Sequence, residues 1–380
     1  MLKPEPPAVA VVLLTAALAA VAAFGFHRLP GEMRDFEVYW TAASRALDSE
    51  PLYRVADGHY QFKYLPAFAV FAAPMALLPL PAAKALWFSV SAALLPLLVW
   101  LAIALLPMRR RPGWTLVLVV LIAMGKFYGH ELVLGQVNLL FAVIVCVGML
   151  LMADGRTGSA AALLVAAVVV KPYAVVFLPW IGIRRGRTAI ITAAIAFVAV
   201  LAVPAVLYGI QGTVDLHRDW WSTVSGSTVP NLTNSDNVSL AGMFAKWLGP
   251  GPSAPMATLA ASLFLLTVAA VTILRGRAIV RGETLEGALL LTLIPLLSPQ
   301  GWDYVFLVAT PAVVLFANYD DRVPPLLRWT TWVAVAVIGL SLFDVMGRER
   351  YATFMSWSII TWCFLVLIAS LGVLRERRIV

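Results

Sequence analysis

The sequence predicts an all-α polytopic membrane protein, and three observations predict it. Of 380 residues, 61% are hydrophobic and only 13% are charged, against about a quarter charged in an ordinary soluble domain. The apolar residues fall in runs along the whole length, so neither a cleaved leader nor a single anchor accounts for them. The basic residues, which give a net charge of +8, stand in short clusters between those runs. That is the pattern of orientation signals, not of a nucleic-acid surface. Cys146 and Cys363 both lie inside apolar runs and offer neither a disulfide framework nor a thiolate metal site.

In chain order, "AVAVVLLTAALAAVAAFGF" reads as a retained first span at 8–26, because no small-residue cleavage site followed by soluble sequence comes after it. Spans are expected near 82–106, 114–130 and 135–152, then two short segments at 158–170 and 173–183. Further spans are expected near 188–209, 253–274, 284–298, 302–318, 328–346 and 353–373. With both termini cytoplasmic, one parity places every basic cluster inside: "RRR" at 109–111, "GR" at 155–156, "RRGR" at 184–187, "RGRAIVRG" at 275–282, "DDRVPPLLR" at 320–328 and "RERR" at 375–378. Residues 64–80 are apolar but short and broken by Pro66, Pro74 and Pro79, and a full crossing there would put "RRR" outside. They are expected to dip into the outer leaflet. No repeat of fixed period and no soluble domain interrupts the pattern, so 1–380 reads as one unit of about twelve transmembrane or half-transmembrane helices. Its outer regions are 27–80, with interfacial helices, and 210–252. His27, His59, His130 and His217 and most carboxylates fall on that outer side, which directs function away from the cytoplasm.

Asp35, Glu37, Tyr39 and Trp40 lie on an expected amphipathic helix running to Ala46. Taken locally, the acids are solvated loop charges and the two rings belong to an interfacial aromatic belt. Lys171 interrupts "AALLVAAVVVKPYAVVFLPW", where an ionisable group is costly unless it faces a polar cavity, and Pro172 breaks the helix beside it. The competing reading is a snorkelling lysine. Gln136 and Asn138, two apart near the start of a span, either bind a polar ligand or join helices. Trp220, Trp221, Trp302 and Tyr304 fall on the outer side, as stacking platforms or as belt residues. Asp35 and Glu37 form a D-x-E pair, but no other cluster with ligand spacing joins it, so neither a metal nor a cofactor is expected.

"GEMRDFEVYW" at 31–40 is followed by "PLYR" at 51–54, "QFKYLP" at 61–66, "GQVNLL" at 135–140, "VVKPYAVVFLPW" at 169–180, "NVSLAGMF" at 237–244 and "LLSPQGWDYVFLVATP" at 296–311. In that order and spacing these segments resemble glycosyltransferase family 87, a family of polytopic GT-C enzymes, from about residue 35 to about residue 311. The resemblance implies a GT-C-like bundle with a functional first outer loop. It also implies inverting transfer of a sugar from a polyprenyl-phosphate donor to a glycolipid or glycan acceptor, on the outer face of the cytoplasmic membrane. Mannose is the family's best-known sugar, and arabinofuranose is the alternative. On this reading Asp35 is the catalytic base that takes the acceptor's hydroxyl proton, while Lys63, Lys171, His59 and His130 stabilise the departing phosphate. Glu37, Tyr64, Gln136, Asn138, Asn237, Trp302 and Tyr304 are expected at the substrates. One departure is Asp303 in "GWDYVF", where a His before the Tyr is expected. The sequence has no glycine-rich phosphate loop in a strand-to-helix context, which fits a donor carried in the bilayer instead of a nucleotide sugar. A transporter or flippase of a lipid-linked substrate shares the broken helices and the intramembrane lysine. Against it, the chain has no two similar halves and its charges gather on one side.

Overall fold

The structure, a computed structural model, describes residues 31–276 and 282–377. The expected span at 8–26, His27, most of the basic cluster at 275–282 and Arg378 lie outside the described residues. Among the described residues the chain is helical, with no β-strand. Five helices are long and apolar enough to cross a membrane: Leu80–Ala104, Gly113–Leu134, Pro172–Ala202, Ser253–Arg275 and Ile359–Glu376. Together with the composition they make this a membrane protein. Pro172–Ala202 is not a single rod. Gly186, at φ 69° and ψ −152°, breaks it, and a methyl group placed on Gly182 would come within 3.0 Å of Ile190. Residues eight apart in a straight helix are about 12 Å apart. The chain therefore reverses at Gly186, with "RRGR" at the bend, as the separate segments 173–183 and 188–209 required.

The chain divides into two compact units, the first made of described residues 31–95 and 130–229. It contains α1 (Arg34–Leu47), α2 (Pro66–Ala76) and the start of α3 (Leu80–Ala104), and after the end of α4 (Gly113–Leu134) come α5 (Asn138–Ala153) and α6 (Thr157–Val170). α1 is amphipathic and buries Phe36, Tyr39, Ala42, Ala43 and Ala46. The alanines let backbones approach, while Tyr39 meets Phe68 of α2 edge-on at 5.4 Å. The start of α1 is tied to the turn before α5: the Met33 amide donates to the Val133 carbonyl at 2.8 Å, and Trp87 stacks on Phe36 and donates to the Gly135 carbonyl at 3.0 Å. Gly135 is required there, because it sits at φ 70° and a Cβ would lie 2.7 Å from that of Phe36. α6 has 14 residues, about 21 Å of rise against a hydrocarbon core of about 30 Å, so it is a short segment, as expected. The outer region expected at 210–252 is more regular than a loop, since helix Ala205–Asn231 runs through it with a break at Gly209. Its polar residues hide the helix from a hydropathy reading because only Thr213 and Leu216 are buried.

The second unit comprises described residues 96–129, 230–276 and 282–377. Helix Glu283–Leu297 is buried along nearly its whole length and Thr310–Tyr319 along all of it, as expected of core helices apolar all round. Phe306 stacks on Phe364 with ring centres 3.8 Å apart. Three of the basic clusters meet in this unit. Arg110 pairs with Asp321 and Arg111 with Asp320, and Arg377 donates to the Arg322 carbonyl. The parity reading expects "RRR", "DDR" and "RERR" on one side of the membrane, and in this unit the three lie together. Asn318 and Tyr319 hold the intervening loop through the backbone of Met108, Arg110 and Arg111.

Candidate active site

The site is built where α1, the loop into α2, the turn into α5 and the break after α6 converge within the first unit. Asp35 and Tyr39 are four residues apart and so share one face of α1. Gln136 follows Gly135 in the sharp turn whose backbone α1 grips. Lys171 terminates α6 in extended backbone, at φ −142° and ψ 108°, before Pro172 opens a short 3₁₀ turn. Proline cannot continue the helix, and the residue before it is driven out of the helical region.

These residues form one hydrogen-bonded chain. The Lys171 ammonium donates to the Tyr64 hydroxyl at 3.2 Å, and the Tyr64 and Tyr39 hydroxyls are 2.7 Å apart. Tyr39 donates to Gln136 Oε1 at 2.9 Å, and Gln136 Nε2 donates to Asp35 Oδ2 at 2.6 Å. An ionised carboxylate only accepts and an ammonium only donates. The end groups fix the outer links, Lys171 to Tyr64 and Gln136 to Asp35, and with the Tyr39 hydroxyl on Gln136 Oε1, the shorter of the two tyrosine contacts there, the Tyr64 hydroxyl donates to Tyr39. A cation at one end and an anion at the other polarise such a chain in the same sense along its length. The Lys171 ammonium also lies 5.1 Å from the centre of the Tyr64 ring.

Asp35 is half-buried, and burial raises its carboxyl above the ordinary carboxylate value. The Gln136 hydrogen bond and the charges of Lys171, His59 and Lys63 oppose that rise. Its Oδ2 is held by Gln136, while Oδ1 takes no hydrogen bond from any described residue. Lys63 is half-buried too, and burial pushes its ammonium down while Asp35 pulls it up. Burial raises the Tyr64 phenol, with Lys171 opposing.

Other expected site residues are placed differently. Glu37 lies two positions, about 200°, around α1 from Asp35. It is bound at 2.6 Å by Lys84, a buried lysine that also donates to the Glu32 carbonyl. Asn138 donates to the buried carboxylate of Glu131 at 2.7 Å, and Glu131 also receives the Leu139 amide. Both interactions anchor the start of α5. His59 is exposed, edge-on to Tyr60, and His130 is exposed at the end of α4. Asn237, Trp302 and Tyr304 belong to the second unit. The Asn237 amide donates to the carbonyls of Asn231 and Pro299 and accepts from Ser239 and the Gly301 amide, so it clips "NVSLAGMF" to "SPQGWDY". Trp302 bridges Asn237 through backbone and is half-buried, and Tyr304 is buried. Glu131 and Lys84 were not singled out from sequence, and Tyr39 was read only as a ring of the interfacial belt. The signals were present: the four-residue spacing of Tyr39 from Asp35, and single charges inside apolar runs at Glu131 and Lys84.

Fold and site together define an integral membrane protein that holds a carboxylate and an ammonium in one polar network beside a broken helix. The family model described as glycosyltransferase family 87 matches residues 62–299, more than half of the chain. The chain belongs to that family and is a glycosyltransferase. A comparison with curated proteins returned no match. The matched stretch holds Lys63, Tyr64, His130, Gln136, Asn138, Lys171 and Asn237. Asp35, Glu37 and His59 precede it, and Trp302 and Tyr304 follow it.

Proposed function

We propose that the protein transfers a glycosyl group, mannose or else arabinofuranose, from a polyprenyl-phosphate donor to a lipid-linked or glycan acceptor at the outer face of the cytoplasmic membrane. Asp35 is the general base and the transfer inverts the anomeric centre. The observation that carries this reading is the asymmetry of the Asp35 carboxylate, with one oxygen fixed by Gln136 and the other open. The open oxygen accepts the hydroxyl proton of the acceptor as its oxygen attacks the anomeric carbon from the face opposite the phosphate. The bond from that carbon to the phosphate oxygen breaks, and its electron pair leaves on polyprenyl phosphate. Lys171 and Lys63 meet the charge gained there, as preorganised cations do most effectively where water is scarce. A donor confined to the bilayer suits a chain that places a hydrogen-bonded lysine at a helix break in apolar sequence. Glu37, Asn138 and Asn237 act in this scheme by holding the scaffold.

The test is incubation of the purified protein with polyprenyl-phosphate sugars, hexosyl and pentosyl, plus an acceptor, scoring release of polyprenyl phosphate and the anomeric configuration of the product. One donor class consumed with inversion supports the proposal. Consumption of none, with donor still bound and moved across a vesicle membrane, would replace it with the flippase reading.

A further inference from the structure

A second pocket lies on the same helix as Asp35. Its volume is about 200 Å³, and it is lined by Arg34, Glu37, Val38, Thr41 and Arg45 of α1 together with Asp57, Tyr60 and Phe62 from the loop that follows. With liquid water occupying about 30 Å³ per molecule, that is room for roughly seven waters, or one sugar ring. At about 100° per residue, the five α1 positions centre roughly a quarter-turn around the helix from Asp35.

The pocket has a built wall. Arg45 makes a two-pronged pair with Asp57, at 2.5 and 2.8 Å, which pins the loop across α1. Tyr53 donates to the Tyr64 carbonyl at 2.7 Å and Gln61 to the Arg54 carbonyl at 3.2 Å, closing the loop on itself. The other ion pair in the lining is Arg34 with Glu37, at 3.4 Å. Each guanidinium of the lining is already paired with a carboxylate, Arg45 with Asp57 and Arg34 with Glu37, which Lys84 also binds, so none is left unpaired for an anionic ligand. The lining offers paired acceptors and forked donors for hydroxyl groups, beside the apolar surfaces of Tyr60, Phe62 and Val38. That combination fits a neutral polyhydroxylated ring.

We infer that this pocket is a carbohydrate subsite that holds a sugar of the acceptor next to the one whose hydroxyl meets Asp35. The inference rests on the proposed transfer reaction for its direction, acceptor rather than donor. The cations assigned to the donor phosphate, Lys171 and Lys63, gather on the Asp35 and Tyr64 side, whereas both guanidiniums of the pocket are paired with carboxylates. A glycan passing around the edge of α1 therefore has one ring at Asp35 and its neighbour in the pocket.

Binding is read first, without turnover: saturation-transfer NMR of the full-length protein in detergent with methyl α-D-mannopyranoside, methyl α-D-glucopyranoside and methyl α-D-arabinofuranoside. At least one should receive saturation from the wild type and lose it in Thr41→Trp, which fills the pocket, and in Val38→Phe should Thr41→Trp fold poorly. No transfer to any of the three, or transfer unchanged in both variants, overturns the subsite. Kinetics then give its direction. With octyl α-mannosides of one and two sugars as acceptors, the wild type should favour the disaccharide. Thr41→Trp should raise the KM for the disaccharide at least tenfold, with the donor KM unchanged. A raised donor KM with an unchanged acceptor KM would overturn the acceptor assignment. Failure of the transfer reaction itself shows as absent product in the wild type and leaves the NMR result to decide the pocket.

Discussion

Replacing Gln136 with Leu removes the central link of the chain while keeping a buried side chain of similar bulk. Gln136 is 7% exposed, and its amide makes the 2.6 Å bond to Asp35 and accepts the Tyr39 hydroxyl at 2.9 Å. The tyrosines keep each other and Lys171, so the principal loss falls on Asp35. A hydrogen bond to a charged group contributes about 1.5–3 kcal/mol, and every 1.4 kcal/mol is about tenfold. The variant should therefore lose about ten- to a hundredfold in kcat/KM at neutral pH. The direction of the pH effect follows from the carboxyl. Burial already raises it and the Gln136 bond lowers it, so without the bond it rises further. The reaction needs the deprotonated form, so the acid limb of the kcat/KM profile moves to higher pH and part of the lost rate returns as pH is raised. The assay is initial-rate release of polyprenyl phosphate across pH, at a temperature where both proteins remain folded. An equal loss at every pH, with the acid limb unmoved, would show that Gln136 does not act through a titrating Asp35.

Lys171→Met should weaken donor binding or slow transfer by about ten- to a hundredfold, the cost of one charge-assisted contact to the departing phosphate. Unchanged donor affinity and turnover would remove Lys171 from phosphate binding. The membrane orientation is read by single cysteines. Val55→Cys and Ser225→Cys, both exposed, should react with an impermeant thiol reagent applied to intact cells, while Arg187→Cys at the Gly186 bend should not. Outside labelling of Arg187→Cys would invert the topology and the placement of the donor with it.

What the sequence revealed was local, and what it hid was long-range. The helix carrying Asp35 shows in its amphipathic spacing, and the break at Lys171 shows because Pro172 and a lone charge in apolar sequence are both local signals. The reversal at Gly186 was legible from the length of the apolar runs on either side of "RRGR". The partners of each polar residue were not legible. Gln136 meets Tyr39 across 97 positions and Lys171 meets Tyr64 across 107. Composition placed Tyr39 in an interfacial belt, whereas it is buried and carries the middle of the network. Glu37 resembles Asp35 in sequence, yet the helical period turns it toward Lys84. Helix Ala205–Asn231 leaves no periodic signal in the sequence because it buries too little apolar surface.

The most direct test of the reaction is Asp35→Asn, compared with wild type in a single turnover of bound polyprenyl-phosphate sugar with saturating acceptor. The side chain keeps its size and can still meet Gln136 through its carbonyl oxygen, but it cannot take a proton. Removal of a general base lowers the rate on the order of 10²- to 10⁴-fold, so product formation should nearly vanish while donor affinity and folding hold. Near-normal single-turnover transfer by Asp35→Asn would contradict the assignment of Asp35 as the base.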